Sequence, residues 1–478
     1  MTAAASWGDL GIESDAGSDR MRFAQRFRAD SPLYKAQKEA FVSGSGGTSL
    51  AEVNLICAVT AMSIVSHHLV WRVLRPTRLS QTSLLGNFAL EFLATPVVVM
   101  LVMLYPTALP VVLGLQVVVS TVCVLWRPSV VAWDHPSQVQ RLAHSRLRFV
   151  TWFRASFMIC TICAILAVDF PVFPRRFVKT ETFGTSLMDT GVGFVVFSSG
   201  LVSKQARRVR APFLRVLLSC APVLVLGFVR LAAVRAVDYQ THVSEYGVHW
   251  NFFFTLASVA LASALLDPVL QVVPPLPVAI SVSVLFEVAL GVLDPNLEFL
   301  FHSARDTSLW AANREGLCSS LGYLSLYLVG VDIGRRLQRQ RTRESWWHLV
   351  RGLAASSLVC FAIIVTRGSG YVSRRLANLY FVTWILAINT AIVAFLLAYD
   401  LVSVGPSENH DKPVLTAVAR NQLVVFLVAN LLTGFVNLTV QTLYASDFVA
   451  IVLLLSYLFV VIGTAYICDQ LDLTLKYW

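Results

Sequence analysis

Long apolar runs, separated by short clusters of charged residues, Pro and Gly, dominate the pattern of positions along this chain. Each run is near the roughly 20 residues that an α-helix needs to cross the hydrocarbon core of a bilayer. The pattern therefore predicts an all-α, polytopic integral membrane helix bundle with about thirteen transmembrane helices. They are expected near residues 53–72, 86–105, 108–126, 149–168, 184–203, 213–234, 250–266, 275–293, 316–334, 347–366, 379–400, 420–442 and 447–468.

The residues before the first apolar run differ in character from the rest of the chain. Residues 1–50 are polar, and they pass from an acidic stretch near Asp15 to a basic stretch that ends near Lys38. They carry no apolar core of a cleavable signal peptide, so the first membrane helix is expected to serve as the insertion signal. The sequence predicts a polar tail over 1–50 and a single transmembrane domain over 51–478.

Composition supports the membrane assignment and limits the possible partners. Of the 478 residues, 56% are hydrophobic and 14% are charged, an apolar content that no soluble core requires. The formal net charge of +10 comes from Lys and Arg clusters placed between the apolar runs. This placement is typical of transmembrane topology, so the lipid bilayer is the expected partner and nucleic acid is not.

Basic residues are unevenly divided between the two sets of alternate connections. One set carries 18 Lys and Arg residues and the other carries 9, when the long N-terminal tail is left out. Because the more basic connections stay in the cytosol, the other set should face a lumen or the outside. With an odd number of helices, the N-terminus is predicted to be lumenal and the C-terminus cytosolic.

The eight cysteines all lie inside apolar runs, where a disulfide framework is not expected. Cys160 and Cys163 form a CxxC pair, but no second pair or nearby histidine accompanies it, so packing is the favoured interpretation. No metal site is predicted. The two halves of the chain show no duplication, which makes a secondary transporter built from repeats less favoured.

The predicted lumenal connections have an unusual composition. They mix acids, bases, aromatic residues, Asn and Gly within compact stretches, whereas the cytosolic connections are mainly basic. Topology alone requires no such mixture, so these connections are expected to line one site. The stretches are 170–184, 238–251, 311–316 and 373–378.

These stretches contain motifs that resemble the inositol acyltransferase family of glycosylphosphatidylinositol (GPI) anchor biosynthesis. The resemblance extends from the end of the tail into the twelfth predicted helix. Its residues are Lys38–Val42 with Gly46, Gly47 and Glu52; Ile165–Phe177 with Lys179, Glu181, Gly184, Thr185, Met188 and Asp189; Glu245–Phe253; Ala312–Gly316; Ser373–Asn378; and Thr433, Gly434 and Asn437.

The resemblance implies a multi-pass enzyme of the endoplasmic reticulum membrane. Such an enzyme moves a fatty acyl group, typically palmitoyl, from acyl-coenzyme A (acyl-CoA) to the inositol 2-hydroxyl of glucosaminyl-phosphatidylinositol. Palmitoyl-CoA would then be a co-substrate, and no cofactor is expected. The family's proposed catalytic aspartate and lysine correspond here to Asp169 and Lys179.

Asp169 is the first candidate for the general base that acyl transfer to an alcohol requires. It ends an apolar run two residues before a Pro-x-x-Pro turn, where partial burial would make a carboxylate a better proton acceptor. The alternative is a structural acid paired with Arg175 or Arg176. For Lys179, stabilising the oxyanion, tuning Asp169 and binding a phosphate stand against a lysine that only reaches to the membrane interface.

His249 is the rival base, since it lies among aromatic and amide residues near the start of the seventh predicted helix. A histidine that hydrogen-bonds at a helix start is the simpler explanation.

Further polar residues of the motifs are candidates for binding the phosphoinositol head group. Arg matches phosphate oxygens and amides match sugar hydroxyls, although Arg–carboxylate pairs that tie the loops together explain the same residues equally well. The candidates for substrate binding are Arg175, Arg176, Asp189, His249, Asn251, Asn313, Arg314, Glu315, Arg374, Arg375 and Asn378.

Two other function classes remain open at this point. A lipid or solute transporter or scramblase would use the same intramembrane charges as a substrate path, and a histidine-based membrane acyltransferase would act on another lipid or sugar. Dependence on acyl-CoA separates the first class from an acyltransferase.

Overall fold

The computed structural model describes residues 32–74, 84–128, 147–236, 243–295, 297–301, 303–305, 308–340, 342–403 and 413–474. These residues fold into helices and connecting loops, and they contain no β-strand. The predicted all-α class is confirmed. Of the predicted tail, residues 1–31 lie outside the described residues, and the rest begins with a helix.

Fourteen helices of more than ten residues are formed by the described part of the chain. They are α1 (Pro32–Val42), α2 (Leu50–Leu74), α3 (Leu85–Leu104), α4 (Leu109–Trp126), α5 (Arg148–Ala167), α6 (Thr190–Leu201), α7 (Phe213–Ala236), α8 (Phe252–Leu265), α9 (Pro275–Leu293), α10 (Arg314–Arg339), α11 (Arg343–Arg367), α12 (Leu379–Val402), α13 (Gln422–Thr439) and α14 (Asp447–Gln470). Shorter helices are Arg175–Phe177, Val243–Tyr246, Asp267–Val272, Glu298–Phe301, Leu309–Ala312, Ser369–Tyr371, Pro413–Arg420 and Thr442–Tyr444.

Eleven helices within the described ranges are long and apolar enough to cross a membrane. The fifth and seventh predicted helices are shorter than expected, because α6 has 12 residues and α8 has 14. A helix of 12 residues rises only about 18 Å, less than the hydrocarbon core. The count of thirteen full-length spans is therefore not confirmed. The residues predicted to form the first turn of the fifth helix instead belong to the loop before α6.

The bundle has a buried interior and an apolar exterior. Most residues of α5, α6, α10 and α12 are buried, whereas few residues of α4, α7 and α9 are. The exposed side chains are largely Leu, Val and Phe. Apolar side chains on the outer surface are what lipid contact requires.

Helices α6 and α10 approach each other closely through glycine. A Cβ atom at Gly200 would lie 2.1 Å from the carbonyl oxygen of Tyr327, and one at Gly330 would lie 2.3 Å from that of Phe197. Gly334 follows Gly330 by one turn and meets the same neighbouring helix. Such small residues at i and i+4 allow two helices to pack backbone against backbone.

Acidic residues within the apolar runs find partners, as buried carboxylates must. Glu91 accepts hydrogen bonds from the backbone N–H groups of Val414 and Leu415, at the start of a short helix. Glu287 accepts one from the N–H of Leu379, at the start of α12. Both carboxylates therefore satisfy orphan donors at helix N-termini.

The loops that carry the sequence motifs meet at one end of the bundle, called here the motif end. It consists of the described residues of 32–49, 168–189, 243–251, 294–313, 368–378 and 440–446. Backbone hydrogen bonds join Thr48 to Thr185 (2.7 Å) and Gly184 to Val372 (2.8 Å). The prediction that these connections lie together is met.

The opposite end is held by basic residues of the other connections. Arg335 donates to the carbonyl oxygens of Gln205 and Leu270, and Arg420 pairs with Asp469 at 2.6 Å. The first described residues, near Pro32, thus lie at the motif end, and those near Asp469 lie at the other.

We expect tags at the two termini to be accessible from opposite sides of a sealed membrane, with the C-terminal tag facing the cytosol. The reasons are the 18 to 9 imbalance of basic residues and the placement of Pro32 and Asp469 at opposite ends. Protease protection of tagged protein in sealed microsomes measures this. Tags digested from the same side would contradict it.

Candidate active site at the motif end

The N-terminal segment docks on the 168–189 loop through two glycines. Gly47 and Gly184 adopt φ values of +82° and +126°, which side chains rarely tolerate. A Cβ at Gly47 would lie 2.3 Å from the carbonyl oxygen of Thr185, and one at Gly184 would lie 2.6 Å from that of Gly46. Only glycine permits this close approach, which brings α1 next to the end of α5.

Asp169 follows the end of α5, and its carboxylate is held by two side chains from distant parts of the sequence. The Nδ2 of Asn437 on α13 donates to Asp169 Oδ2 at 2.7 Å, and the ammonium of Lys38 on α1 lies 3.5 Å from Oδ1. Lys38 also donates to Asn437 Oδ1 at 2.6 Å. The three groups form a closed ring, and Asp169 is only 5% exposed.

The turn after Asp169 is fixed by buried aromatic residues. Phe170, Phe173 and Phe177 are fully buried, and the prolines between them cannot continue the helix. The turn returns Arg175 to the end of α5, where it donates to the carbonyl oxygen of Val168 at 2.7 Å.

Arg175 lies beside the Asp169 carboxylate and has N–H groups that no described residue accepts. Its guanidinium lies 3.9 Å from the centre of the Phe41 ring, and its buried Nε and Nη2 atoms have no hydrogen-bond partner among the described residues. Burial lowers the pKa of Arg175 to about 10, although the nearby Asp169 charge opposes the shift. The group remains a cation at neutral pH with two unsatisfied N–H donors.

Lys179 belongs to a second cluster, centred on Glu245. Its ammonium lies 2.7 Å from the Glu245 carboxylate, which also pairs with Arg374 at 3.2 Å. Burial disfavours the charge of Glu245, but Lys179 and Arg374 outweigh it and lower its pKa to about 2. Arg374 further pairs with Asp189 at 3.0 Å, and Asp189 accepts from the Thr180 hydroxyl at 2.9 Å. Burial raises the pKa of Asp189 despite these partners.

A third cluster is centred on Glu315, at the start of α10. Its fully buried carboxylate receives two N–H groups from Arg305, the closer at 2.5 Å, and one from Arg375 at 2.7 Å. The Arg375 guanidinium lies 4.6 Å from the centre of the Phe301 ring. These contacts tie the 294–313 loop to the 368–378 loop.

Arg314 holds the 294–313 loop against the start of α10. Its guanidinium is 1% exposed and donates to the carbonyl oxygens of Leu300, Ser303 and Ala304, at distances from 2.8 to 3.3 Å. All three nitrogen atoms donate to the backbone, and the side chain is too little exposed to present its remaining N–H groups to a substrate.

The asparagines predicted to bind the substrate likewise use their side chains for hydrogen bonds to the backbone. Asn251 and Asn378 cap α8 and α12, because each side-chain oxygen accepts an N–H from the first turn. Their amide groups donate to the carbonyl oxygens of Gly227 and Tyr371.

His249 lies beside the third predicted amide, Asn313. The Oδ1 of Asn313 accepts from the backbone N–H of His249 at 2.8 Å, and its Nδ2 donates to the carbonyl oxygen of Leu309. The Nδ1 atom of the His249 ring is buried and has no partner among the described residues. The histidine ring itself is thus not used as a cap.

The structure separates residues that the sequence placed together. Arg176 binds Glu52 at 2.8 Å, and Arg175, whose charge lies near Asp169, donates to the backbone carbonyl of Val168. The ion-pair partner of Asp169 among the described residues is Lys38 at 3.5 Å, so a structural role of the carboxylate stays an alternative with a different cation. Lys179 pairs with Glu245 and not with Asp169.

Three functional candidates had no assigned role in the sequence: Lys38, Asn437 and Glu245. The available signal was that all three lie within motif strings. Asn437 also begins an Asn-x-Thr sequon, but it lies in α13 and its amide is bound to Asp169 and Lys38.

Comparison with known proteins agrees with the motif resemblance. The GWT1 family model matches residues 34–468. The chain is 36% identical to the GPI-anchored wall transfer protein 1 of Aspergillus fumigatus, over 91% of this chain and 97% of that protein. It is 34% identical to the protein of the same name from Saccharomyces cerevisiae, over 88% of this chain and 95% of that one. The chain is therefore a member of the GWT1 family.

Proposed function

We propose that this protein is an acyltransferase of GPI-anchor biosynthesis in the endoplasmic reticulum membrane. It moves a fatty acyl group, typically palmitoyl, from acyl-CoA to the inositol 2-hydroxyl of glucosaminyl-phosphatidylinositol. Support comes from family membership and from relatives named as GPI-anchored wall transfer proteins. The single structural observation that carries the proposal is the Asp169 carboxylate, held between Lys38 and Asn437 at the motif end.

In this proposal Asp169 is the general base. Its carboxylate takes the proton of the inositol hydroxyl while the oxygen attacks the thioester carbonyl carbon. A carbon–oxygen bond forms, the carbon–sulfur bond of the tetrahedral intermediate breaks, and CoA leaves as a thiolate that receives the proton taken up by Asp169, which restores the carboxylate. Because each Asp169 oxygen has a single partner within 3.5 Å, lone pairs remain for the substrate proton.

Cations of the motif end supply hydrogen-bond donors for the negative groups of the substrates, which are the lipid phosphate and the oxyanion of the tetrahedral intermediate. Lys179 is 38% exposed, and its pairing with Glu245 favours binding of the lipid phosphate over a direct action on Asp169. Arg175 lies beside Asp169 with two unsatisfied donors, which suit an oxyanion or a phosphate oxygen. Arg176, at 47% exposure, remains a proposed head-group contact.

The other proposed substrate-binding residues divide into two groups. His249 keeps an unpartnered ring nitrogen and therefore remains both a binding candidate and the rival base. The remaining residues have their polar atoms bound to other protein groups, and we assign them to holding the loops and helix ends of the site in place: Asp189, Asn251, Asn313, Arg314, Glu315, Arg374, Arg375 and Asn378.

Purified full-length protein is expected to release CoA thiol from palmitoyl-CoA only when glucosaminyl-phosphatidylinositol is present. Mass spectrometry should find one palmitoyl ester on the inositol of the acceptor. Phosphatidylinositol without glucosamine is the control acceptor. Folded protein that forms no acyl-lipid would exclude the proposal, and lipid translocation in vesicles without acyl-CoA would favour the transporter class.

A further inference from the structure

Lys38 occupies an unusual position for a lysine of a polar segment. Its side chain is 13% exposed, although it lies on the short helix α1 before the first long helix. Burying an ammonium is costly unless charge and hydrogen bonds compensate. Here the compensation comes from Asp169 and Asn437.

Helix α1 is docked independently of this lysine. The Tyr34 hydroxyl lies 3.4 Å from Thr442 Oγ1, and the Tyr34 ring packs on Tyr444 with centres 5.7 Å apart. Contacts besides the ammonium therefore also hold α1 in place.

The donors and acceptors of Lys38, Asn437 and Asp169 fix which atoms of the three side chains face one another. A lysine ammonium only donates, so Asn437 must turn its oxygen to Lys38, as the 2.6 Å contact shows. The amide Nδ2 then faces Asp169 and donates to Oδ2. Lys38 thus acts on Asp169 twice, directly by charge and indirectly through the orientation of Asn437.

We propose that Lys38 and Asn437 are positioning residues that orient the Asp169 carboxylate for proton transfer. This inference rests on the proposed acyltransferase function. It assigns part of the active site to the N-terminal segment, which lies outside the long helices.

The effect on the rate follows from the groups that face Asp169. They are Lys38 from α1 and Arg175 from the following turn, and the neutral amide of Asn437 comes from α13. Lys38 and Asn437 each contact one carboxylate oxygen, so together they fix the direction of the lone pairs that remain for the substrate proton. Removing either contact should therefore slow proton transfer without weakening substrate binding.

The test is the kcat and KM of purified full-length protein with palmitoyl-CoA and glucosaminyl-phosphatidylinositol. Lys38→Met should lower kcat about 10- to 100-fold with little change in KM. Lys38→Arg should recover most of the rate. In the Asp169→Asn background, Lys38→Met should add little, since the group on which it acts is gone.

Asn437→Asp provides a second route if Lys38→Met does not fold. It keeps the shape but replaces the amide N–H that donates to Asp169 by an acceptor oxygen, so kcat should again fall with little change in KM. Two controls should keep the wild-type kcat. Tyr34→Phe removes a docking hydroxyl of α1, and Arg420→Met removes an arginine paired with Asp469 at the opposite end.

The possible outcomes distinguish the inference from the proposed function. An active wild type with unchanged kcat in Lys38→Met and Asn437→Asp would overturn this inference alone. So would a loss in Lys38→Met that persists undiminished in the Asp169→Asn background, because that is the behaviour of a purely structural residue. A folded wild type that transfers no acyl group would overturn the proposed function together with the inference.

Discussion

Asp169→Asn protein is expected to accumulate to near the wild-type amount and to bind acyl-CoA, yet to transfer the acyl group about 10²–10⁴-fold more slowly. This loss corresponds to roughly 3–5 kcal/mol in the activation barrier. An amide keeps the size of the carboxylate but accepts no proton. Folding should change less than the rate, because an amide keeps the shape, costs less to bury than a carboxylate and still offers an oxygen to Asn437, although the Lys38 ammonium loses its counter-charge.

The measurement is single-turnover acyl transfer by purified variants, with acyl-CoA binding and thermal unfolding measured on the same samples. His249→Ala is the comparison, because His249 lies at the same end of the bundle and keeps an unpartnered ring nitrogen. We expect it to lose less activity than Asp169→Asn. A greater loss in folded His249→Ala protein would identify His249 as the base and reject Asp169.

Glu315→Gln is expected to destabilise the protein by about 3–5 kcal/mol, the usual result of removing one partner from a buried ion pair. Glu315 is fully buried and receives Arg305 and Arg375 at 2.5 and 2.7 Å. Glutamine keeps the shape but leaves both guanidinium groups without a counter-charge. Thermal unfolding of detergent-purified protein, followed by intrinsic fluorescence, should show a markedly lower midpoint.

Glu344→Gln is the matched control for this substitution. Its side chain is 82% exposed and lies 3.4 Å from His348 in the first turns of α11, so its removal should change stability by less than about 1 kcal/mol. Wild-type stability in Glu315→Gln, combined with weaker binding of the lipid acceptor, would mean that Glu315 binds substrate and does not tie the loops.

The two predictions distinguish the residues of the motif end that take part in acyl transfer from those that hold its loops together. Asp169 and Lys38 form one cluster, with Arg175 and its two unsatisfied donors beside them. The clusters around Glu245 and Glu315 contain Arg residues whose partners are carboxylates of other loops. Substitutions in the first group should act on the rate. Apart from Lys179, which is proposed to bind the lipid phosphate, residues of the other two clusters should on substitution affect chiefly folding.

The sequence by itself determined where the helices lie and which connections carry the motifs of the candidate site. Apolar runs of bilayer length predict helices directly, because a chain in lipid must satisfy its backbone groups internally. Eleven of the thirteen predicted helices are long enough to span a membrane, and the motif-bearing connections occur at one end. The local pattern failed at α6 and α8, where residues of loop motifs continue directly into apolar runs.

Only the tertiary structure decided which polar groups meet. Asp169 and Asn437 are 268 residues apart in the chain, and Lys38 lies at the end of the polar tail, in a motif to which the sequence assigned no role. A charged residue in a motif has several possible partners on the neighbouring loops, and its own sequence neighbours do not select among them. The selection comes from helix packing, which brings α1, α5 and α13 together and leaves Lys179 beside Glu245 instead of Asp169.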